Sequence, residues 1–96
     1  MNGLVLLVTY KTKNGMGEKF IEEVRSAGIM EKIQAEDGFV KYDYYLSAAD
    51  PNEILLVEEW SSEEQQQAHL LTAHMGELKS IKEKYVTDTA VRKIML

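Results

Sequence analysis

The sequence predicts an α+β protein in which helices cover one face of a four-stranded sheet, and three observations support this. Four segments rich in β-branched and aromatic residues have the length of strands. Two longer segments carry apolar residues at helical spacing. The segments follow one another in the order β-α-β-β-α-β, which is typical of the ferredoxin-like sandwich. A chain of 96 residues without a linker or repeat predicts one domain.

The first half of the chain begins with a strand and a long helical stretch. The apolar run Leu4 to Tyr10 predicts the strand, and Asn14-Gly15 marks the turn after it. A helix is predicted from about Gly17 to Ala35, but its apolar residues would lie on opposite faces if it were unbroken. We therefore expect a break at Gly28. The apolar groups on its two sides are Phe20, Ile21, Val24 and Ala27 before it, and Ile29, Met30 and Ile33 after it.

Three more strands and a second helical segment complete the pattern. Glu53 to Trp60 is the predicted third strand, and Val86 to Leu96 is the last. Between them we expect a helix with Ser61 as N-cap and Glu64 in the capping-box position, interrupted at Thr72. The second strand, residues 39–46, is expected to place Val40, Tyr42, Tyr44 and Leu46 on one face and Phe39, Lys41, Asp43 and Tyr45 on the other.

Two of the predicted strands are apolar on both faces. The first has Val5 and Leu7 between its core-facing residues, and the third has Leu55 and Val57 in the equivalent places. Two helices cover only one face of a sheet, and an antiparallel sheet with one face in water normally alternates between apolar and polar residues. A second copy of the chain is the simplest cover for the other face, so we expect a homodimer.

The composition excludes several classes of protein. The absence of cysteine excludes disulfides, thiolate catalysis and cysteine metal sites. A net charge of −5 argues against nucleic acid and anionic membranes as partners. The first apolar run is too short to span a bilayer and lacks the basic residues of a signal peptide. We therefore expect a cytoplasmic protein that binds a small molecule, another copy of itself, or both.

The histidines are the residues best suited to chemistry near neutral pH. His69 and His74 are both predicted to lie in the second helical segment. Five residues separate two positions by about 140° on an unbroken helix, so we predict no metal site. A break at Thr72 would alter this, with Glu58 or Glu59 as a third ligand. The pattern places His69 at the edge of the buried helix face, and a structural role for either histidine remains open.

An ordered set of segments resembles the antibiotic biosynthesis monooxygenase (ABM) family, and more narrowly its small quinol monooxygenase-like members. The set consists of Val57-Glu58-Glu59-Trp60, Ala68-His69-Leu70 and Thr72-Ala73-His74-Met75. The family often has Thr-Pro-His where this chain has Thr72-Ala73-His74. The resemblance implies that residues 1–96 form a single ABM-like domain. It also implies a homodimer whose two ferredoxin-like subunits build a dimeric α+β barrel.

The resemblance implies a cofactor-independent monooxygenase that oxidises a small aromatic polyol or quinol with molecular oxygen. His69 would be the catalytic proton acceptor, and Trp60, His74 and Tyr42 would line the substrate pocket. No cofactor is expected, and the chain lacks a dinucleotide fingerprint and a P-loop. Two alternatives remain open, namely a non-catalytic dimeric barrel that binds a metabolite, and an isomerase on the same scaffold.

Overall fold

Four antiparallel strands form one sheet in the computed structural model, which describes residues 3–96. The strands are β1 (Leu4–Thr12), β2 (Phe39–Leu46), β3 (Glu53–Trp60) and β4 (Val86–Met95), in the spatial order β2-β3-β1-β4. The helices are α1 (Gly17–Ser26), α2 (Ile29–Gln34), α3 (Glu63–His69) and α4 (Ala73–Tyr85). Each predicted helical segment is a pair of helices, and the ferredoxin-like order predicted from the sequence is confirmed.

The central strands β1 and β3 alternate strictly between a buried face and a half-buried face. Leu4 pairs with Trp60, and Tyr10 pairs with Ile54. The buried residues of the two strands are therefore paired with each other and face the helices together. On the opposite face the residues in the middle of both strands are apolar but only half-buried in the single chain, as predicted. The residues of this face, which we call the open face, include Val5, Leu7, Leu55 and Val57.

Gly28 breaks the first helical segment as the sequence predicts. It lies between α1 and α2 with φ of 74°, a left-handed conformation that favours glycine. Its backbone N–H donates a hydrogen bond to the carbonyl of Arg25, and this bond closes the C-terminal end of α1. The chain then turns so that Ile29 and Ile33 are fully buried against the sheet. The break therefore lets apolar residues on both sides of it reach one core.

Replacing Gly28 with alanine should destabilise the fold by about 1 kcal/mol, because a Cβ is disfavoured at positive φ. Nothing lies within 4 Å of the added Cβ, so the backbone conformation alone carries the cost. The matched control is Gly76→Ala in α4, where the added Cβ also meets nothing. It should stabilise the fold by up to about 1 kcal/mol through helix propensity. Urea unfolding of both variants measures the change in the free energy of unfolding. A change of the same sign in the two variants would contradict this interpretation.

The N-cap of α3 is Ser62, so the prediction of Ser61 is wrong by one residue. The Ser62 hydroxyl accepts a hydrogen bond from the backbone N–H of Gln65 at 3.2 Å, which places Gln65 rather than Glu64 in the capping-box position. Ser61 instead continues the end of β3, since its backbone N–H donates to the carbonyl of Gly38 at 2.8 Å. Because Ser61 is bound to Gly38 at the end of the sheet, the helix begins one residue later and the adjacent Ser62 caps it.

The predicted alternation of β2 is wrong at its first residue. The register shifts between Phe39 and Lys41, so that Phe39 pairs with Trp60 while Lys41 pairs with Glu59. This irregularity, a β-bulge, turns Phe39 to the helix-covered face, where its ring meets Trp60 edge-on at a centroid distance of 6.1 Å. From Tyr42 onward the predicted alternation holds.

The last helix contributes to the core, and the last strand forms one edge of the sheet. The α4 helix is 13 residues long, and its Leu78 and Ile81 are buried at the predicted spacing. The β4 strand pairs with β1 at the edge of the sheet and is mostly exposed in the single chain. Across residues 3–96, none of the helices has both the length and the apolar composition that crossing a membrane requires.

Candidate functional site: a histidine–carboxylate cluster

The interruption between α3 and α4 brings the two histidines onto one carboxylate. The Thr72 hydroxyl donates to the carbonyl of His69 at 2.9 Å, and α4 begins at the next residue. Oε2 of Glu36 then lies 2.8 Å from Nδ1 of His69 and 2.6 Å from Nε2 of His74. The break at Thr72 is thus confirmed, and the side chains it brings together meet Glu36 rather than Glu58 or Glu59.

Glu36 reaches the histidines from the turn that connects α2 to β2. Gly38 in this turn has φ of 82°, and a Cβ there would lie 2.2 Å from the side chain of Gln65 in α3. Any other residue at this position would clash with Gln65, so glycine allows the turn to pack directly against α3. Glu36 could not be recognised as a site residue from the sequence, because an acidic residue in a turn gives no local signal of a partner 33 positions away.

His69 is buried among the aromatic residues that the sequence singled out. Its ring centroid lies 4.5 Å from that of Trp60 and 5.8 Å from that of Tyr42. The residue is 1% exposed, so the expectation that it lies at the edge of the buried face is wrong. The hydrogen bond from its Nδ1 to Glu36 makes this burial tolerable. The structure therefore places Tyr42, Trp60, His69 and His74 in one cluster.

The contact with Glu36 determines which nitrogen of His69 carries the proton. An ionised carboxylate only accepts hydrogen bonds, so Nδ1 of His69 donates to it and the neutral ring leaves Nε2 with a free lone pair. Nε2 is buried and has no hydrogen-bond partner among residues 3–96. The nearby carboxylate oxygen Oε1 of Glu58 lies 3.9 Å away. A buried imidazole held in this way offers a base that points into the protein.

Glu58 is the buried member of the Glu58-Glu59 pair, and it accepts a hydrogen bond from Nε1 of Trp60 at 3.1 Å. Arg92 and Lys41, the cations on the neighbouring strands, pair with open-face positions, whereas Glu58 points toward the helices. Burial raises the pKa of Glu58, and the hydrogen bond from Trp60 and the nearby His69 and Lys82 offset only part of that effect.

Glu58→Gln should therefore stabilise the protein near neutral pH. The raised pKa means that the folded state binds the proton more tightly, so this carboxyl group favours folding below its ordinary pKa of 4.5 and loses that contribution as pH rises. The neutral amide keeps an acceptor for Trp60 without the cost of a buried charge. Thermal unfolding of both proteins should show a higher midpoint for the variant at neutral pH and no difference below pH 4.5. A variant that is less stable at neutral pH would contradict this.

A second unpaired polar group lies on the other side of Tyr42. The Tyr44 hydroxyl is buried and meets no hydrogen-bond partner at good geometry in the described chain, although the neighbouring Tyr42 hydroxyl is close enough to lower its pKa. The two ring centroids lie 5.8 Å apart. Burial raises the pKa of both tyrosines, so they remain protonated hydrogen-bond donors. Tyr44 also borders an open cleft of about 600 Å³ between α1 and β2. Its other lining residues are Glu18, Lys19, Ile21, Glu22, Arg25 and Leu46.

Together the fold and the cluster define a small ferredoxin-like α+β protein with a buried histidine between its sheet and helices. The family model for antibiotic biosynthesis monooxygenases matches residues 3–80. The chain therefore belongs to the ABM family, as the resemblance implied. A search of curated proteins finds no match.

Solved structures with the same fold span nearly the whole chain. One is a conserved Bacteroides thetaiotaomicron protein described as a "Possible Oxidoreductase", with 22% identity, a TM-score of 0.85, and coverage of 99% of this chain and 98% of that one. Another is a Nitrosomonas europaea protein described as a "Putative antibiotic biosynthesis monooxygenase", with 23% identity, a TM-score of 0.82, and coverage of 98% and 88%. At these identities the likeness is one of fold.

Proposed function

We propose that this protein is a cofactor-independent monooxygenase that oxidises a small aromatic polyol or quinol with molecular oxygen. Membership of the ABM family supports the reaction class. The observation that carries the proposal is the pair of unpaired buried polar atoms, Nε2 of His69 and the hydroxyl of Tyr44, on either side of Tyr42. Unpaired buried polar atoms are costly, and a dihydroxyaromatic ligand has polar groups at both ends that would satisfy them.

In the proposed reaction, Nε2 of His69 accepts a proton from one hydroxyl of the substrate. The resulting phenolate is electron-rich and passes an electron to oxygen, and the reduced oxygen adds to the ring. One oxygen atom enters the product as a new hydroxyl group, and the other leaves as water while the quinol becomes a hydroxyquinone. The substrate supplies all the electrons, so the balance requires no external reductant.

The other residues of the cluster have positioning roles in this proposal. Glu36 fixes the tautomer of His69, in the way that the carboxylate of a catalytic triad orients its histidine. Trp60 and Tyr42 supply apolar walls, and Tyr44 donates a hydrogen bond to the second hydroxyl of the substrate. His74 lies at the outer rim, where its side chain is 13% exposed and holds Glu36 from the other side.

We further propose that two copies pack through their open faces. The apolar side chains there remain half-buried in the single chain, and Ile94 of β4 adds to them with 40% of its surface exposed. Apolar side chains left partly exposed on adjacent central strands are typical of obligate interfaces. Sedimentation equilibrium should give twice the chain mass of 11.0 kDa. A stable monomer at micromolar concentration would refute the dimer.

Oxygen uptake by purified, flavin-free protein over a panel of hydroquinones tests the function. We expect uptake without flavin and a product that has gained one oxygen atom and lost two hydrogens. Tight binding without oxygen consumption would instead support the metabolite-binding barrel. A product of the same mass as its substrate would support the isomerase.

A further inference from the structure

We infer that Glu36, His69 and His74 form a binding site for one divalent transition-metal ion, with Zn²⁺ as the best fit. One carboxylate oxygen and two imidazole nitrogens lie within 4.8 Å of one another. Two nitrogen ligands and one oxygen ligand are a donor set that zinc favours, with further positions left for water. The expectation of no metal site assumed an unbroken helix, and the interruption at Thr72 removes that assumption.

The distances require little rearrangement for an ion to enter. Zinc lies about 2.0–2.2 Å from nitrogen and oxygen ligands, so ligand atoms in a tetrahedral site are roughly 3.4 Å apart. Oε2 of Glu36 lies 2.8 Å from His69 and 2.6 Å from His74, with hydrogens on both nitrogens. These contacts widen by less than about 1 Å when an ion replaces the two protons. A rotation of the Glu36 side chain would provide that space, and the two ring nitrogens, which lie within 4.8 Å of each other, would approach by up to about 1.4 Å.

The surroundings of His69 suit a metal ligand as well as a base. A ligating histidine almost always donates its second ring N–H to a carboxylate, carbonyl or water. When Nδ1 of His69 binds an ion, the neutral ring carries its proton on Nε2, which faces Oε1 of Glu58 at 3.9 Å. Glu58 is itself held by Trp60. The atom that is unpaired in the metal-free protein would then point an N–H at a buried carboxylate, and a shift of about 1 Å closes this distance to that of a hydrogen bond.

An entry path exists on the outer side of the cluster. A groove of about 330 Å³ runs over Glu36 and is lined there by Asp37, Ala68 and Thr72. The side chains of Glu36 and His74 are 12% and 13% exposed, whereas that of His69 is buried. An ion can therefore arrive from solvent without entering the core, and the groove leaves room for its water ligands.

The test is a titration of the purified, metal-free chain with Co²⁺ alone, followed by visible absorption, with Zn²⁺ added afterwards as competitor. We expect one Co²⁺ per chain, the strong visible bands of a four- or five-coordinate ion, and their loss when Zn²⁺ displaces it. His74→Ala and Glu36→Gln should each weaken binding at least 10-fold. Glu58→Gln should weaken it about 10-fold through the contact to His69.

The matched control is Glu64→Gln, an exposed carboxylate on the same groove, which should bind Co²⁺ as the unchanged protein does. Circular dichroism establishes that each variant is folded, and Glu36→Gln keeps the test valid if His74→Ala does not fold. No spectral change up to millimolar Co²⁺, or binding unaffected by Glu36→Gln, would overturn the site.

Metal binding also has a consequence that rests on the proposed function. Because Nε2 of His69 carries a proton when Nδ1 binds the ion, the metal-bound protein has no free base there. Stoichiometric Zn²⁺ should therefore suppress oxygen uptake, and a chelator should restore it. Metal binding is measured from the Co²⁺ spectrum and inhibition from turnover. Failure of the proposed metal site can therefore be distinguished from failure of the proposed monooxygenase function.

Discussion

His69→Ala is expected to lower turnover on a quinol substrate by about 10²-fold or more, the usual effect of removing a positioned general base. The variant removes the only unpaired imidazole nitrogen that is buried in the described chain. Steady-state oxygen uptake under flavin-free conditions measures the effect. Because turnover depends on proton transfer, we expect the loss mainly in kcat rather than in KM.

His74→Ala is the matched comparison, since His74 also contacts Oε2 of Glu36 but lies at the rim. It should lower turnover by less than His69→Ala, because Glu36 still orients His69. Circular dichroism and sedimentation on both variants separate a catalytic loss from a folding defect. Equal activity of folded His69→Ala and the unchanged protein would reduce His69 to a structural residue.

Trp60→Ala is expected to lower the free energy of unfolding by about 3–5 kcal/mol, the range for removing a large buried aromatic side chain. Trp60 is fully buried and its ring packs at a tilt against that of His69, with a centroid distance of 4.5 Å. Truncation also removes the N–H that donates to Glu58, which leaves a buried carboxyl group without this partner. Both effects act in the same direction, so the loss should fall at the upper end of that range.

Urea unfolding measures this change, with Leu71→Ala as the control. Leu71 is 87% exposed, and its truncation should alter stability by no more than about 0.5 kcal/mol. A loss below about 2 kcal/mol for Trp60→Ala would show that the cluster does not depend on this ring for its packing.

Features with a local signal could be predicted from the sequence. Gly28 has the conformation that the apolar pattern demanded, and Thr72 interrupts the second segment. Apolar residues at successive positions of β1 and β3, where a sheet with one face in water would alternate, predicted that both faces of these strands are apolar. In each case the interactions that determine the structure join residues close together in the chain, so the spacing of apolar residues predicts it.

Features that depend on distant contacts could not be predicted. Glu36 meets His69 only because the turn before β2 packs on α3, and no spacing links positions 33 residues apart. Ser62 caps α3 instead of Ser61 because of a hydrogen bond from Ser61 to Gly38. His69 is more deeply buried than its helical pattern indicates, because a carboxylate from another segment satisfies its Nδ1.

The claim on which the proposed chemistry depends is that Glu36 holds the proton on Nδ1 of His69 and leaves Nε2 free. Long-range ¹H–¹⁵N spectra of metal-free protein labelled at histidine measure this directly, with His74→Gln used to assign the two rings. At a pH where the ring is neutral, we expect Nδ1 of His69 to show the shift of a protonated nitrogen and Nε2 that of an unprotonated one. A spectrum with the proton on Nε2 and a free Nδ1 would contradict the role of Glu36 and leave His69 without a base directed into the protein.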